Sequence, residues 1–209
     1  MASSTNRRSN QERREQSTEQ VLSAALALFV TRGYGATSID DIASQAGLTK
    51  GAVYFYFKGK SALLLALLAE SAALYAGIFE QMRDSDAPAD SQLEMFVEWA
   101  AGVGAENNEL LVLPILMSLE FYGQDQAIAS SLEQLYDHYH EEMERVVKLG
   151  QDQGEFDQSL APREEAAVLV AFTDGMLLEW IRRSRRLDGK RLVQSAKALI
   201  AGGLRSHKH

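Results

Sequence analysis

An all-α fold is predicted by three features of this 209-residue sequence. Apolar residues recur at spacings of three and four almost throughout, no stretch alternates apolar and polar residues as a half-buried strand does, and prolines are confined to Pro88, Pro114 and Pro162. Charge divides the chain further. Residues 1–60 carry eight Lys/Arg against five Asp/Glu, whereas the rest carries thirteen against twenty-four within a formal net charge of −8. A small basic head on a larger acidic body follows, and the acidic total argues against a protein that coats nucleic acid indiscriminately.

The elements can be justified in order. The start, MASSTNRRSNQERREQ, has arginines but no apolar stretch behind them, so residues 1–16 read as a mobile polar arm and not as a secretory signal. Its Arg7, Arg8, Arg13 and Arg14 either solubilise the chain or make transient minor-groove and phosphate contacts. A first helix puts Val21, Ala25, Leu28 and Phe29 on one stripe and ends near TRGYGA, where Gly33 and Gly35 can take a positive φ. Two short helices follow and complete a head spanning 17–62. The body, 63–206, begins with a long helix from Lys60 to about Arg83, apolar on nearly every side for three turns. Gln92 to Ala105 and Asn108 to Tyr122 form two more helices, the second bent at Pro114. Leu132, Tyr139, Met143 and Gly150 mark the next. Pro162 opens an apolar helix over 163–186, and a last helix covers 190–206. The run Ala166 to Ile181 is too short to span a membrane and contains Asp174 and Glu179. With no cysteine there is no disulfide framework, which fits the reducing cytoplasm, and the sequence calls for no cofactor.

Chemistry concentrates in residues 38 to 63, SIDDIASQAGLTKGAVYFYFKGKSAL. Thr37 and Ser38 each stand three residues before a carboxylate, Asp40 or Asp41, as an N-cap does. Ile39, Ile42, Ala43 and Ala46 then give a core stripe, Gly47 stops the helix, and Thr49 caps a second one starting at Lys50. Two short helices joined by such a turn make a helix-turn-helix. With Val53 and Phe57 inward, Gly51 and Phe55 point outward, Lys50 and Tyr54 lie on one flank and Ala52 on the other. Small residues allow close approach, Ala and Phe can meet a thymine methyl, and Lys50 can reach guanine acceptors. The hydroxyls of Thr37, Ser38, Tyr54 and Tyr56, with Lys58 and Lys60, suit phosphate oxygens. Ordinary packing competes with this reading for Tyr56, as does a solvated helix end for Lys58 and Lys60.

The segment TSIDDIASQAGLTKGAVYFYFKGKSALL resembles the DNA-binding signature of the tetracycline-repressor (TetR) family of bacterial transcriptional regulators, over roughly residues 17 to 65. The resemblance implies that Thr49, Lys50, Gly51, Ala52, Tyr54 and Phe55 meet the major groove while Thr37, Tyr54, Tyr56 and Lys60 meet phosphates. Phe55 stands where the family often has a polar residue, so it offers shape in place of a hydrogen bond. The resemblance also implies a cytoplasmic homodimer paired through 163–186 and 190–206, an inverted-repeat operator on double-stranded DNA, release by a small-molecule effector, and no membrane partner.

For the effector, apolar patterning nominates Trp99, Met117, Phe121, Tyr136, Tyr139, Phe172, Met176 and Trp180 as lining, with Glu98, Glu120 and Asp174 beside them. Two other readings stand beside this one. In one the body binds a protein partner in place of a small molecule; in the other YDHYHEEME places His138, His140 and Glu142 as metal ligands of a helical enzyme. Against the enzyme, two ligands from one helical turn are too few, and no HExxH, phosphate loop or GxSxG turn accompanies them.

Overall fold

The computed structural model describes residues 3–106, 108–183 and 186–205, with side chains from Gln11 onward. Among these residues it contains nine helices and no strand: α1 (Ser3–Arg32), α2 (Ile39–Ala46), α3 (Lys50–Tyr56), α4 (Lys60–Asp84), α5 (Ala89–Glu106), α6 (Glu109–Glu120), α7 (Gln126–Asp152), α8 (Pro162–Arg183) and α9 (Gly189–Leu204). The segment read as an arm is therefore helical from Ser3, where it continues α1. Straight-chain Glu, Gln and Arg favour helix there, and the apolar stripe further along the same helix anchors it. Arg7 and Arg8 lie outside the residues whose side chains are described.

Two cores form, and α4 belongs to both. The first gathers Val21, Ala25 and Phe29 of α1, Ile42 of α2 and Val53 of α3 around Leu63, Leu64, Leu67 and Leu68 of α4. It also takes Leu113, Met117 and Phe121 from α6 and its end, and Ile128 and Leu132 from α7. The head is thus not packed on itself alone, and burial crosses the 62/63 boundary. The second core stacks Phe79, Phe96 and Tyr139 from α4, α5 and α7, with Met143, Val146 and Leu169 around them. By length and composition α4 could cross a membrane, but its apolar side chains fill these two cores instead.

Pro114 sits inside α6 and has no N–H to give to the carbonyl of Leu110. The fully buried Ser71 of α4 takes over that role, donating its hydroxyl to Leu110 O at 2.7 Å. Beyond α7, Phe156 lies against Gly150, where an added Cβ would come within 2.1 Å of its ring. The loop then donates from Asp157 N to Leu204 O at 2.9 Å, fastening the end of α9 to the body.

Candidate functional site

Local rules build the head. Ser38 caps α2 by accepting from Asp41 N at 3.1 Å, and the Asp41 carboxylate accepts in return from Ser38 N at 2.9 Å. Ser38's hydroxyl and amide hold the Asp41 carboxyl below the ordinary carboxylate range. Gly47 ends α2 at φ 68°, its N–H meeting the carbonyls of Ala43 and Ser44. Thr49 caps α3, accepting from Ala52 N at 3.2 Å.

The second helix presents the face anticipated for it. Val53 is fully buried, Gly51 is exposed, and Tyr54 and Phe55 are 50% and 68% exposed. Two large aromatics held in water on a seven-residue helix are unfavourable unless another surface covers them. Arg14 of α1 lies 5.5 Å from the centre of the Phe55 ring, which brings one arginine of the N-terminal stretch beside this face. Tyr56 is half-buried and packs edge-on against Phe55 at 5.2 Å. Lys50 is exposed and donates to Asp40 at 2.7 Å, which keeps its ammonium above the ordinary range.

Two residues expected to meet phosphates do other work. Thr37 is 2% exposed, and its hydroxyl donates to Gly33 O at 2.8 Å. Ser38, not Thr37, is the cap. Lys60 donates to the carbonyls of Tyr34 and Thr37 at 2.7 and 2.8 Å, with its ammonium 4.1 Å from the Tyr34 ring centre. Its ammonium ties together the carbonyls that close the α1–α2 turn, and one N–H remains beyond these two bonds.

The body contains a cavity of about 610 Å³ between α5, α8 and α9, with Tyr75 of α4 on its wall. Its origin is legible in α5, where Ala100, Ala101, Gly102, Gly104 and Ala105 all line it. Small side chains leave the space that larger ones would fill. Thr173, Asp174, Met176 and Leu177 supply the α8 wall, while the exposed Glu98 and Lys190 mark the rim. Asp174 accepts from the Tyr136 hydroxyl at 3.1 Å. Burial pushes the Asp174 carboxyl up to about 6, opposed in part by that hydrogen bond.

Of the residues read as ligand contacts, Met176 lines this cavity, as do Trp180, Glu98 and Asp174. The others lie elsewhere. Met117 and Phe121 belong to the head-side core, with the Phe121 ring 5.0 Å from that of Tyr34. Glu120 reaches the head, accepting from Tyr34 N at 3.0 Å and Gly35 N at 2.6 Å. Tyr139 is fully buried among Tyr75, Phe79 and Phe96. Trp99 packs on Tyr75 and Phe96, Tyr136 meets the cavity through Asp174, and Phe172 is half-buried outside the lining. Two of the three candidate metal ligands are also engaged otherwise. Glu142 is 8% exposed and its carboxylate is held by Arg83 and by Arg145 at 2.9 Å, while His138 packs on Phe79.

Two family models match parts of the chain. Residues 21–67 match the model for bacterial regulatory proteins of the tetR family, and residues 116–205 match the BetI-type transcriptional repressor C-terminal model. The MbdR regulator from Azoarcus sp. CIB is 37% identical, with 91% of this chain and 100% of that chain covered and a TM-score of 0.82. The regulator AcrR of Shigella flexneri is 24% identical over 197 residues, 93% of this chain and 91% of that protein. The regulator FadR from Bacillus subtilis, solved in complex with stearoyl-CoA, is 22% identical, with 89% of this chain and 98% of that chain covered and a TM-score of 0.71. The exposed α3 face, the helix-turn-helix that carries it and these matches identify the chain as a DNA-binding transcriptional regulator belonging to the TetR family.

Proposed function

We propose that this chain is a cytoplasmic repressor that binds an inverted-repeat operator as a homodimer and leaves it when a small molecule fills the body cavity. The cavity carries the reading. Its volume of about 610 Å³ lies within the roughly 300–1,000 Å³ of sites for molecules of drug size, and its walls are mostly apolar. A body devoted to a protein partner would gain stability by closing such a space, so the cavity favours the sensor. A relative of the same fold, FadR, was solved in complex with stearoyl-CoA, a small molecule.

Pairing is supported by α8 and α9. Although apolar in sequence, α8 buries only Ala166, Leu169 and Val170, and α9 only Ala196 and Leu204. Val168, Ile181 and Leu199 are 61%, 41% and 66% exposed, and an added Cβ at Gly175, Gly202 or Gly203 would meet nothing within 4 Å. A second copy would cover these faces, and two recognition helices would read the two halves of a palindrome. Coupling runs through shared helices. α4 belongs to both cores, and Glu120 at the end of α6 holds the α1–α2 turn of the head.

The test is a titration of labelled operator with and without a cavity ligand, run beside transcription from a promoter that contains the operator. A cavity ligand should weaken operator affinity about 5- to 150-fold, and operator should weaken ligand affinity by the same factor. Transcription should fall with protein and recover with ligand. A compound that fills the cavity and leaves operator affinity unchanged would overturn release by occupancy.

A further inference from the structure

We propose that the cavity takes an apolar molecule bearing an amine, with the ammonium meeting Oδ1 of Asp174. The proposal rests on the reading of this cavity as the effector site and adds the chemical class of the effector. Asp174 stands in the α8 wall beside Thr173, Met176 and Leu177. Its Oδ2 accepts from the Tyr136 hydroxyl, whereas Oδ1 accepts no hydrogen bond from any described residue. No lysine or arginine among the described residues pairs with it.

The surroundings make that missing counter-ion specific. The titratable groups around the carboxyl are the phenols Tyr75 of α4 and Tyr136 and Tyr139 of α7, which burial holds in their neutral forms. Tyr136 supplies one hydrogen bond but no positive charge. At the rim, Lys197 is already bound by Glu94 and Glu98, and Lys190 is exposed. A carboxylate in an apolar wall with one open oxygen is compensated by a cation that brings its own N–H donors. An anionic head at the same place would meet like charge. The burial that raises the Asp174 carboxyl to about 6 still leaves it mostly ionised near neutral pH, so the charge is present when the ligand arrives.

Three probes of one shape and different charge test this: 1-naphthylmethylamine, 1-naphthalenemethanol and 1-naphthoate, titrated calorimetrically into the full-length protein at pH 7.5. The amine should bind at least about tenfold more tightly than the alcohol, and 1-naphthoate should be weakest. Asp174→Asn keeps the shape and the Tyr136 contact and should shrink the amine's advantage to within about twofold. Tyr136→Phe removes the hydroxyl, keeps the carboxylate and should preserve the preference, which guards against a fold defect in the first variant. Ala101→Trp fills the cavity and should abolish binding of all three. If amine and carboxylate bind alike and Ala101→Trp removes both, the cavity stands as a binding site and the amine proposal falls. If the unaltered protein binds none of the probes, or Ala101→Trp binds them as before, the cavity reading falls and takes the proposal with it.

Discussion

Phe55 and Asp174 are each at odds with their surroundings, one exposed though apolar and the other drawn into an apolar wall though charged. Phe55 is 68% exposed, so truncating it removes little burial from the folded chain. Phe55→Ala is predicted to change unfolding free energy by no more than about 0.5 kcal/mol while weakening operator binding by about 1–3 kcal/mol. Urea unfolding and operator titration on the same preparation check both halves, and equal losses in the two would assign Phe55 to the core. Asp174 has the opposite problem, a charge drawn into an apolar wall. Its folded value of about 6 lies above the ordinary 3.8, so the folded chain binds the extra proton between those values. Its contribution to stability is then full below the unfolded value and lost as pH rises through about 6. Asp174→Asn is therefore predicted to raise stability by about 1–2 kcal/mol at pH 8, after allowance for partial exposure, and to give no gain at pH 4. A larger gain at pH 4 than at pH 8 would contradict the sign.

Among the helices, two glycines have opposite consequences. In α7, Gly150 is buried under Phe156, and an added Cβ would lie 2.1 Å from that ring, with no flexible chain end to move aside. Gly150→Ala is predicted to destabilise the protein by about 1–3 kcal/mol. In α4, Gly77 has nothing within 4 Å of an added Cβ. Gly77→Ala should stabilise by roughly 0.5–1 kcal/mol, because alanine restricts the unfolded chain and favours helix. Paired thermal melts decide, and a destabilised Gly77→Ala would mean that α4 is covered on that side.

For the whole molecule, much of the fold was legible because helical periodicity and capping residues are local. Ser38, Gly47 and Thr49 mark the helix-turn-helix where they stand, and Pro162 opens α8 as a first-turn proline does. The outward face of α3 followed from 100° per residue alone. What was not legible depends on partners distant in sequence. Thr37 and Lys60 look like surface donors until the carbonyls of Gly33 and Tyr34 are seen beside them. The cavity was sought among large apolar residues, most of which fill the cores, while Met176 and Trp180 do line it. Its sequence signal was the reverse, the small run AAGVGA of α5, where missing volume matters. The unpaired faces of α8 and α9 make a further prediction at this scale. Val168→Glu should leave the head folded yet convert a dimer to a monomer by light scattering and lower operator affinity, whereas an unchanged mass would place the interface elsewhere.

The most direct measurement selects DNA from a random pool with the purified protein and repeats the selection with Phe55→Ala. The account predicts enrichment of an inverted repeat whose half-sites lie about one helical turn, or a multiple of it, apart, with enrichment lost in the variant. Selection of no sequence, or of the same sequence equally well by both proteins, would contradict the claim that the exposed face of α3 reads DNA.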